Sequence, residues 1–90
     1  MAYRRAYVGM VLKVDPNGSF CPLQVIWEDG KHYPVDEVRN VTPAAQTEAG
    51  GPGFRYTLVI RRRERYFYEN AGRWFTWVVA PSTDNKGGSR

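Results

Sequence analysis

Six of the arginines in the second half of the chain are the residues best suited to chemistry, and that chemistry is anion binding. They lie between Phe54 and Val79 beside two acids, Glu64 and Glu69, so this stretch carries the whole formal net charge of +4. Guanidinium groups bind phosphates through paired hydrogen bonds, and neighbouring tyrosine rings stack on nucleobases. The pattern predicts nucleic-acid binding through a basic hairpin at residues 61–65. The predicted binding residues are Arg55, Arg61, Arg62, Arg63, Arg65 and Arg73.

The same arginine run also has a purely structural interpretation. Residues 61–65 separate two segments with strand-like alternation, which places Arg62 and Arg63 at the tip of a hairpin. A solvated basic turn keeps the end of a sheet soluble and blunts its edge. The sequence leaves both interpretations open.

Aromatic residues are concentrated between Tyr56 and Trp77. Strand alternation sends Tyr66 and Tyr68 to one face of a sheet and Phe67 to the other. One face fills the core. The other is either covered by the glycine-rich loop of residues 42–53 or by the N-terminal segment, or it is exposed as a binding surface beside the arginines. An exposed face of this kind also suits a peptide or protein partner. The residues predicted for that alternative are Trp27, Tyr33, Tyr66, Tyr68 and Trp74.

The residue inventory argues against catalysis. Cys21 and His32 are the single cysteine and the single histidine of the chain, which argues against a disulfide framework, most metal sites and histidine-based triads. Asp36 and Glu37 are adjacent, so on a strand they point to opposite faces and cannot act as a carboxylate pair. We therefore expect no enzyme activity, no cofactor and no metal.

Short apolar segments separated by turns predict an all-β fold. The 90 residues suffice for one small domain, which we place at residues 1–80, followed by a disordered tail at residues 81–90. Five to six strands predict a small SH3-like barrel or a curled antiparallel sheet. Residues 36–38 predict a brief helical turn, and residues 43–49 are the segment closest to a helix. The predicted strands are residues 7–14, 23–27, 32–35, 54–60, 66–68 and 73–79.

The N-terminus bears a limited similarity to a signal peptide. Two arginines precede an apolar stretch, but the stretch is short and contains Gly9 and Lys13. No stretch approaches the roughly 18 apolar residues of a membrane-spanning helix. We therefore expect a cytoplasmic protein without a membrane partner.

Residues 25–35 resemble part of a known family. Trp27, Asp29, Gly30, Tyr33 and Val35 are similar to the second hairpin of Tudor and related SH3-like domains, in which a tryptophan precedes an Asp-Gly turn, a tyrosine and a valine. The resemblance implies an aromatic cage, walled by Trp27 and Tyr33, that binds methylated lysine or arginine by cation–π attraction. More broadly, residues 11–77 resemble short bacterial proteins of unassigned function, which implies a cytoplasmic bacterial β domain and no particular activity.

These patterns favour a non-catalytic binding module with two alternative roles. The first is an accessory domain that contacts nucleic acid through the arginine-rich hairpin. The second is a protein–protein adaptor that uses an aromatic face of the barrel. Phosphate contacts make affinity fall steeply with salt, whereas an apolar peptide surface is nearly insensitive to it, so salt dependence distinguishes the two roles.

Overall fold

Seven β-strands make up the regular structure of residues 2–44 and 53–80, which are the residues that this computed structural model describes. Most of the glycine-rich loop of residues 42–53 and the predicted tail at residues 81–90 lie outside the described residues. The strands are β1 (Tyr3–Val14), β2 (Phe20–Ile26), β3 (His32–Pro34), β4 (Glu37–Ala44), β5 (Gly53–Ile60), β6 (Arg63–Asn70) and β7 (Arg73–Val79).

The strands form one curled antiparallel sheet in the order β3-β2-β1-β7-β6-β5-β4. The two ends of this order approach each other, because Val35 N donates to Leu23 O at 2.9 Å and Asp36 N donates to Val59 O at 2.8 Å. Curling in this way shortens the exposed sheet edges. The predicted all-β class and curled antiparallel sheet are confirmed, with seven strands in place of five to six.

Strand β1 joins the two halves of the sheet. Its first half pairs with β7 and its second half with β2, and the change occurs between Val8 and Gly9. A Cβ atom on Gly9 would lie 3.1 Å from the Cβ of Ile26, which is closer than packed side chains normally come. The absence of a side chain at Gly9 therefore leaves room for the Ile26 side chain of β2 at this point.

The inward face of the curled sheet holds the core. Alternation in β5 predicts that Tyr56, Leu58 and Ile60 share one face, and all three are buried there. The Tyr56 and Trp74 rings pack with centroids 4.7 Å apart. Burial of each such side chain stabilises the fold by about 1.5–3 kcal/mol. The buried cluster comprises Val25, Tyr56, Leu58, Ile60, Phe67 and Trp74.

Three predictions of local structure need correction. Strand β1 begins at Tyr3 rather than at residue 7. The helical turn predicted at residues 36–38 is wrong, because Glu37 and Val38 pair with Val59 and Leu58 as the start of β4. Residues 43 and 44 of the predicted helical segment also belong to β4, and the rest of that segment lies outside the described residues.

Candidate nucleic-acid interface

The outward face of β5, β6, β7 and β1 combines arginine and aromatic side chains. Strand register places Arg5 opposite Trp77 and Tyr7 opposite Phe75. Phe75 in turn lies opposite Tyr68 on β6. We call this surface the arginine–aromatic face, and it consists of Arg5, Tyr7, Arg55, Tyr66, Tyr68, Arg73, Phe75 and Trp77.

Each arginine of this face lies over an aromatic ring. The Arg73 guanidinium carbon is 4.4 Å from the Tyr7 ring centroid, and that of Arg55 is 4.8 Å from the Tyr66 centroid. Arg5 lies over two rings, 4.9 Å from Phe75 and 5.3 Å from Trp77. Cation–π contacts at exposed sites contribute about 0.5–1 kcal/mol each, so they hold the guanidinium groups against the sheet.

The rings of the face divide into a buried layer and an exposed layer. Phe75 is 1% exposed and packs between Tyr7, Tyr68 and Trp77, with centroid separations of 5.5, 5.3 and 5.8 Å. By contrast, Tyr7, Tyr66 and Trp77 are 41%, 47% and 37% exposed. Parts of these three rings are therefore exposed to solvent, and packing against buried Phe75 holds Tyr7 and Trp77 in place.

The positive charge of this face has no carboxylate partner in the described part of the chain. The ion pairs of residues 2–44 and 53–80 involve Arg4, Lys13 and Arg39, and none of the six predicted arginines. Of the two neighbouring acids, Glu64 accepts a hydrogen bond from Arg39, while Glu69 is buried and accepts one from Gly72 N at 2.8 Å. Both acids thus have other partners, and within residues 2–44 and 53–80 the arginines of the face form no ion pair.

The arginines of the face lower the pKa of Tyr7. Arg5 Nη1 donates a hydrogen bond to the Tyr7 hydroxyl oxygen at 3.4 Å. This bond, together with the charges of Arg5 and Arg73, holds the pKa of Tyr7 below its ordinary value of 10.0, against a smaller opposing effect of desolvation. The phenolate form of Tyr7 is therefore stabilised at this position.

The arginine-rich hairpin turns at Arg61 and Arg62, and Arg63 is the first residue of β6. The tip thus lies one residue earlier than the sequence predicts. Both turn residues have positive φ, 54° for Arg61 and 68° for Arg62. Two-residue hairpin turns of this handedness usually contain Asn-Gly, because the left-handed conformation costs other residues roughly 1–2 kcal/mol each.

A cleft opens between this hairpin and the β2–β3 hairpin, and we call it the hairpin cleft. Its floor is Val25, Ile60 and Phe67, and its volume is about 270 Å³. Its walls carry Trp27, Tyr33, Arg61 and Arg65. The Arg61 guanidinium carbon lies 5.1 Å from the Tyr33 ring centroid.

The β2–β3 turn fixes the position of Trp27 at the cleft. Trp27 N donates to Lys31 O at 2.8 Å, and Gly30 N donates to Trp27 O at 2.8 Å. The next residue, Glu28, forms a two-pronged ion pair with Arg4 of β1, with both distances 2.9 Å. This pair lowers the pKa of Glu28 and raises that of Arg4. The turn is therefore tied to the sheet immediately beside Trp27.

The structure divides the predicted site residues between two surfaces. Arg55, Arg73 and Tyr66 lie on the arginine–aromatic face, whereas Arg61, Arg65, Trp27 and Tyr33 line the hairpin cleft. The other predicted residues lie elsewhere or are buried. Arg62 and Arg63 are exposed at the hairpin end, Tyr68 is buried under the face, and Trp74 is in the core.

Sequence reasoning missed Arg5, Tyr7 and Trp77 as site residues. Tyr3-x-Arg5-x-Tyr7 and Arg73-x-Phe75-x-Trp77 each alternate with a period of two, which is the signal that places them on one face of a strand. The pairing of β1 with β7 then brings these two distant segments side by side.

Residues 2–44 and 53–80 contain no group of three or more His, Cys, Asp or Glu side chains placed to hold a metal ion. The same residues include no helix long and apolar enough to cross a membrane. No protein-family model, curated protein or solved structure matches the chain.

Proposed function

We propose that the protein binds single-stranded nucleic acid on the arginine–aromatic face. One observation carries the proposal: the guanidinium carbons of Arg5, Arg55 and Arg73 lie 4.4 to 5.3 Å from aromatic ring centroids, and these arginines have no carboxylate partner in residues 2–44 and 53–80. Proteins that bind single strands combine such cations with aromatic rings on which successive bases stack.

A single strand fits this surface better than a duplex does. The half-exposed rings of Tyr7, Tyr66 and Trp77 lie on a sheet face together with the guanidinium groups that cover them. Both the rings and the guanidinium groups can contact the flat side of a base there. Bases in a duplex are stacked on one another, so their flat sides are inaccessible to such rings. Stacking on an aromatic side chain contributes about 1–3 kcal/mol per base, which a duplex could not provide here.

The arginines of the hairpin extend the positive charge of the same strands. Arg62 and Arg63 lie at the end of the β5–β6 hairpin whose body carries Arg55 and Tyr66. Phosphates are attracted over about 8 Å at physiological ionic strength, so exposed arginines contribute without a fixed contact. In this proposal the hairpin attracts the strand and the face binds it.

The proposal is tested by titrating a fluorescent 12-nucleotide oligothymidylate and following its anisotropy. Three phosphate contacts predict a logarithmic salt slope of about −2 for a single strand, hence an affinity about 20-fold lower at 200 mM than at 50 mM salt. Arg73→Gln should remove about 0.7 from that slope. Lys13→Gln, which removes one charge from the far end of β1, serves as the matched control and should leave the slope unchanged.

Absence of oligonucleotide binding at 50 mM salt would refute this function. The alternative role, a protein–protein adaptor that uses the same face, would then be favoured. That role predicts binding of a protein with little salt dependence, in which Tyr66 and Trp77 carry more of the affinity than the arginines.

A further inference from the structure

The hairpin cleft is a second surface, distinct from the arginine–aromatic face. We propose that it binds one nucleotide, with the base against Trp27 and the phosphate held by Arg61 and Arg65. This inference stands on the lining of the cleft alone and would survive if the arginine–aromatic face bound nothing.

The size and lining of the cleft suit one planar ring. Its volume of about 270 Å³ is just below the roughly 300–1,000 Å³ of typical small-molecule sites. The floor is apolar, since it consists of Val25, Ile60 and Phe67. An aromatic wall at Trp27 provides a stacking surface, and base–aromatic stacking tolerates any base.

The charge of the cleft selects an anion. Arg61 and Arg65 both line it, and neither has an ion-pair partner in the part of the chain that the structure describes. A methylated lysine or arginine, the guest implied by the resemblance to Tudor domains, would meet two like charges here. Moreover, Arg61 already lies over the Tyr33 ring that such a guest would need. A phosphate instead gains two charge-assisted contacts.

The geometry of the turn decides which of its two arginines lines the cleft. Both Arg61 and Arg62 are left-handed, as a two-residue turn of this type requires. In this conformation Arg61 reaches the cleft, whereas Arg62, with the same strain, does not line it. Arg62 is therefore a natural control within the same turn.

The cleft also communicates with the arginine–aromatic face. Strands β6 and β7 have ladder pairing only from Tyr68 to Asn70, and beyond it Thr76 Oγ1 donates a hydrogen bond to Tyr66 O at 2.7 Å. A second cavity of about 290 Å³ is lined by Trp27 and Arg65 of the cleft together with Tyr66 and Trp77 of the outward face. The bound nucleotide can thus be free or the end of a strand, and both share a base linked to a phosphate.

The test measures binding of adenosine monophosphate by calorimetry, with adenosine and inorganic phosphate as partial ligands. We expect the nucleotide to bind at least tenfold more tightly than either part. Arg61→Gln and Arg65→Gln should each weaken it about tenfold or more. Arg62→Gln, with the same loss of charge in the same turn, should change it less than twofold. Melting curves confirm that each variant is folded.

Two further measurements distinguish a free nucleotide from the end of a strand and separate the cleft from the arginine–aromatic face. If a 5′-phosphorylated oligonucleotide shows the same dependence on Arg61 and Arg65 while the free nucleotide does not bind, the ligand is a strand end. Arg73→Gln, which removes one arginine from the arginine–aromatic face, must leave the affinity for the free nucleotide unchanged. The proposal is overturned if neither ligand binds, or if Arg62→Gln weakens binding as much as Arg61→Gln.

Discussion

The turn at Arg61 and Arg62 predicts a variant that stabilises the protein by removing a charged residue. Arg62 has φ of 68°, a conformation that costs a residue with a Cβ roughly 1–2 kcal/mol. Glycine adopts this conformation without strain. However, glycine loses more conformational entropy on folding, which lowers the free energy of unfolding by about 0.5–1 kcal/mol. Arg62→Gly should therefore stabilise the fold by about 0.5–1 kcal/mol, equivalent to a rise in melting temperature of about 2–8 °C for a chain of this size.

Charge must be separated from backbone strain in this experiment. Arg62→Ala removes the same positive charge and the same repulsion from Arg61 and Arg63, but keeps the Cβ atom. The gain of Arg62→Gly over Arg62→Ala thus measures the backbone contribution alone. Urea and thermal unfolding followed by circular dichroism supply both values, and equal stabilities for the two variants would refute the left-handed turn.

Three shorter predictions concern other contacts. Gly9→Ala should destabilise the fold by about 1–3 kcal/mol in urea unfolding, because its Cβ would lie 3.1 Å from that of Ile26; a neutral result would place β2 further from β1. Glu28 has a lowered pKa, so its pairing with Arg4 stabilises the fold above the ordinary carboxyl pKa and is lost as the pH falls through the lowered value. Glu28→Gln should consequently reduce the loss of stability in acid, and an unchanged acid limb would contradict the pair. Tyr7 ionises below its ordinary pKa of 10.0, and its phenolate repels phosphate, so oligonucleotide affinity should fall at a lower pH in the wild type than in Tyr7→Phe; identical profiles would remove Tyr7 from the face.

Much of the sheet could be predicted because its last three strands follow simple patterns. In β5 the alternation of Tyr56, Leu58 and Ile60 marks the core side, and Asn70, Ala71 and Gly72 mark the tight turn that follows β6. These signals are local and need no knowledge of the neighbouring strand. The curled all-β fold follows from them.

Strand β4 could not be predicted because its alternation is interrupted. Register passes from Val38 opposite Leu58 to Asn40 opposite Thr57, so Arg39 is an extra residue in a bulge. The bulge breaks the period of two, and Arg39 then pairs with Glu37 and Glu64. A charged, irregular segment of this kind gives no strand signal in the sequence.

Only part of the arginine–aromatic face could be predicted from the sequence. Arg55 and Arg73 stand in the segment that sequence composition marks as basic. Arg5, however, reaches the same face only because β1 pairs with β7 from the other end of the chain. Its charge also hides the start of β1, since an arginine stacked on Phe75 and Trp77 resembles a solvated residue in the sequence. Local sequence patterns do not show which distant strands pair, so the contribution of Arg5 could not be predicted.

Nuclear magnetic resonance with isotope-labelled protein and an unlabelled oligothymidylate locates the surface that binds a single strand. At 50 mM salt we expect the largest shift changes on the strands of the arginine–aromatic face, around Arg5, Tyr66 and Trp77, with the Trp77 indole among them. Buried Trp74, on the opposite side of β7, should move far less. Shift changes confined to β2, β3 and β4, or none at saturating oligonucleotide, would contradict this expectation.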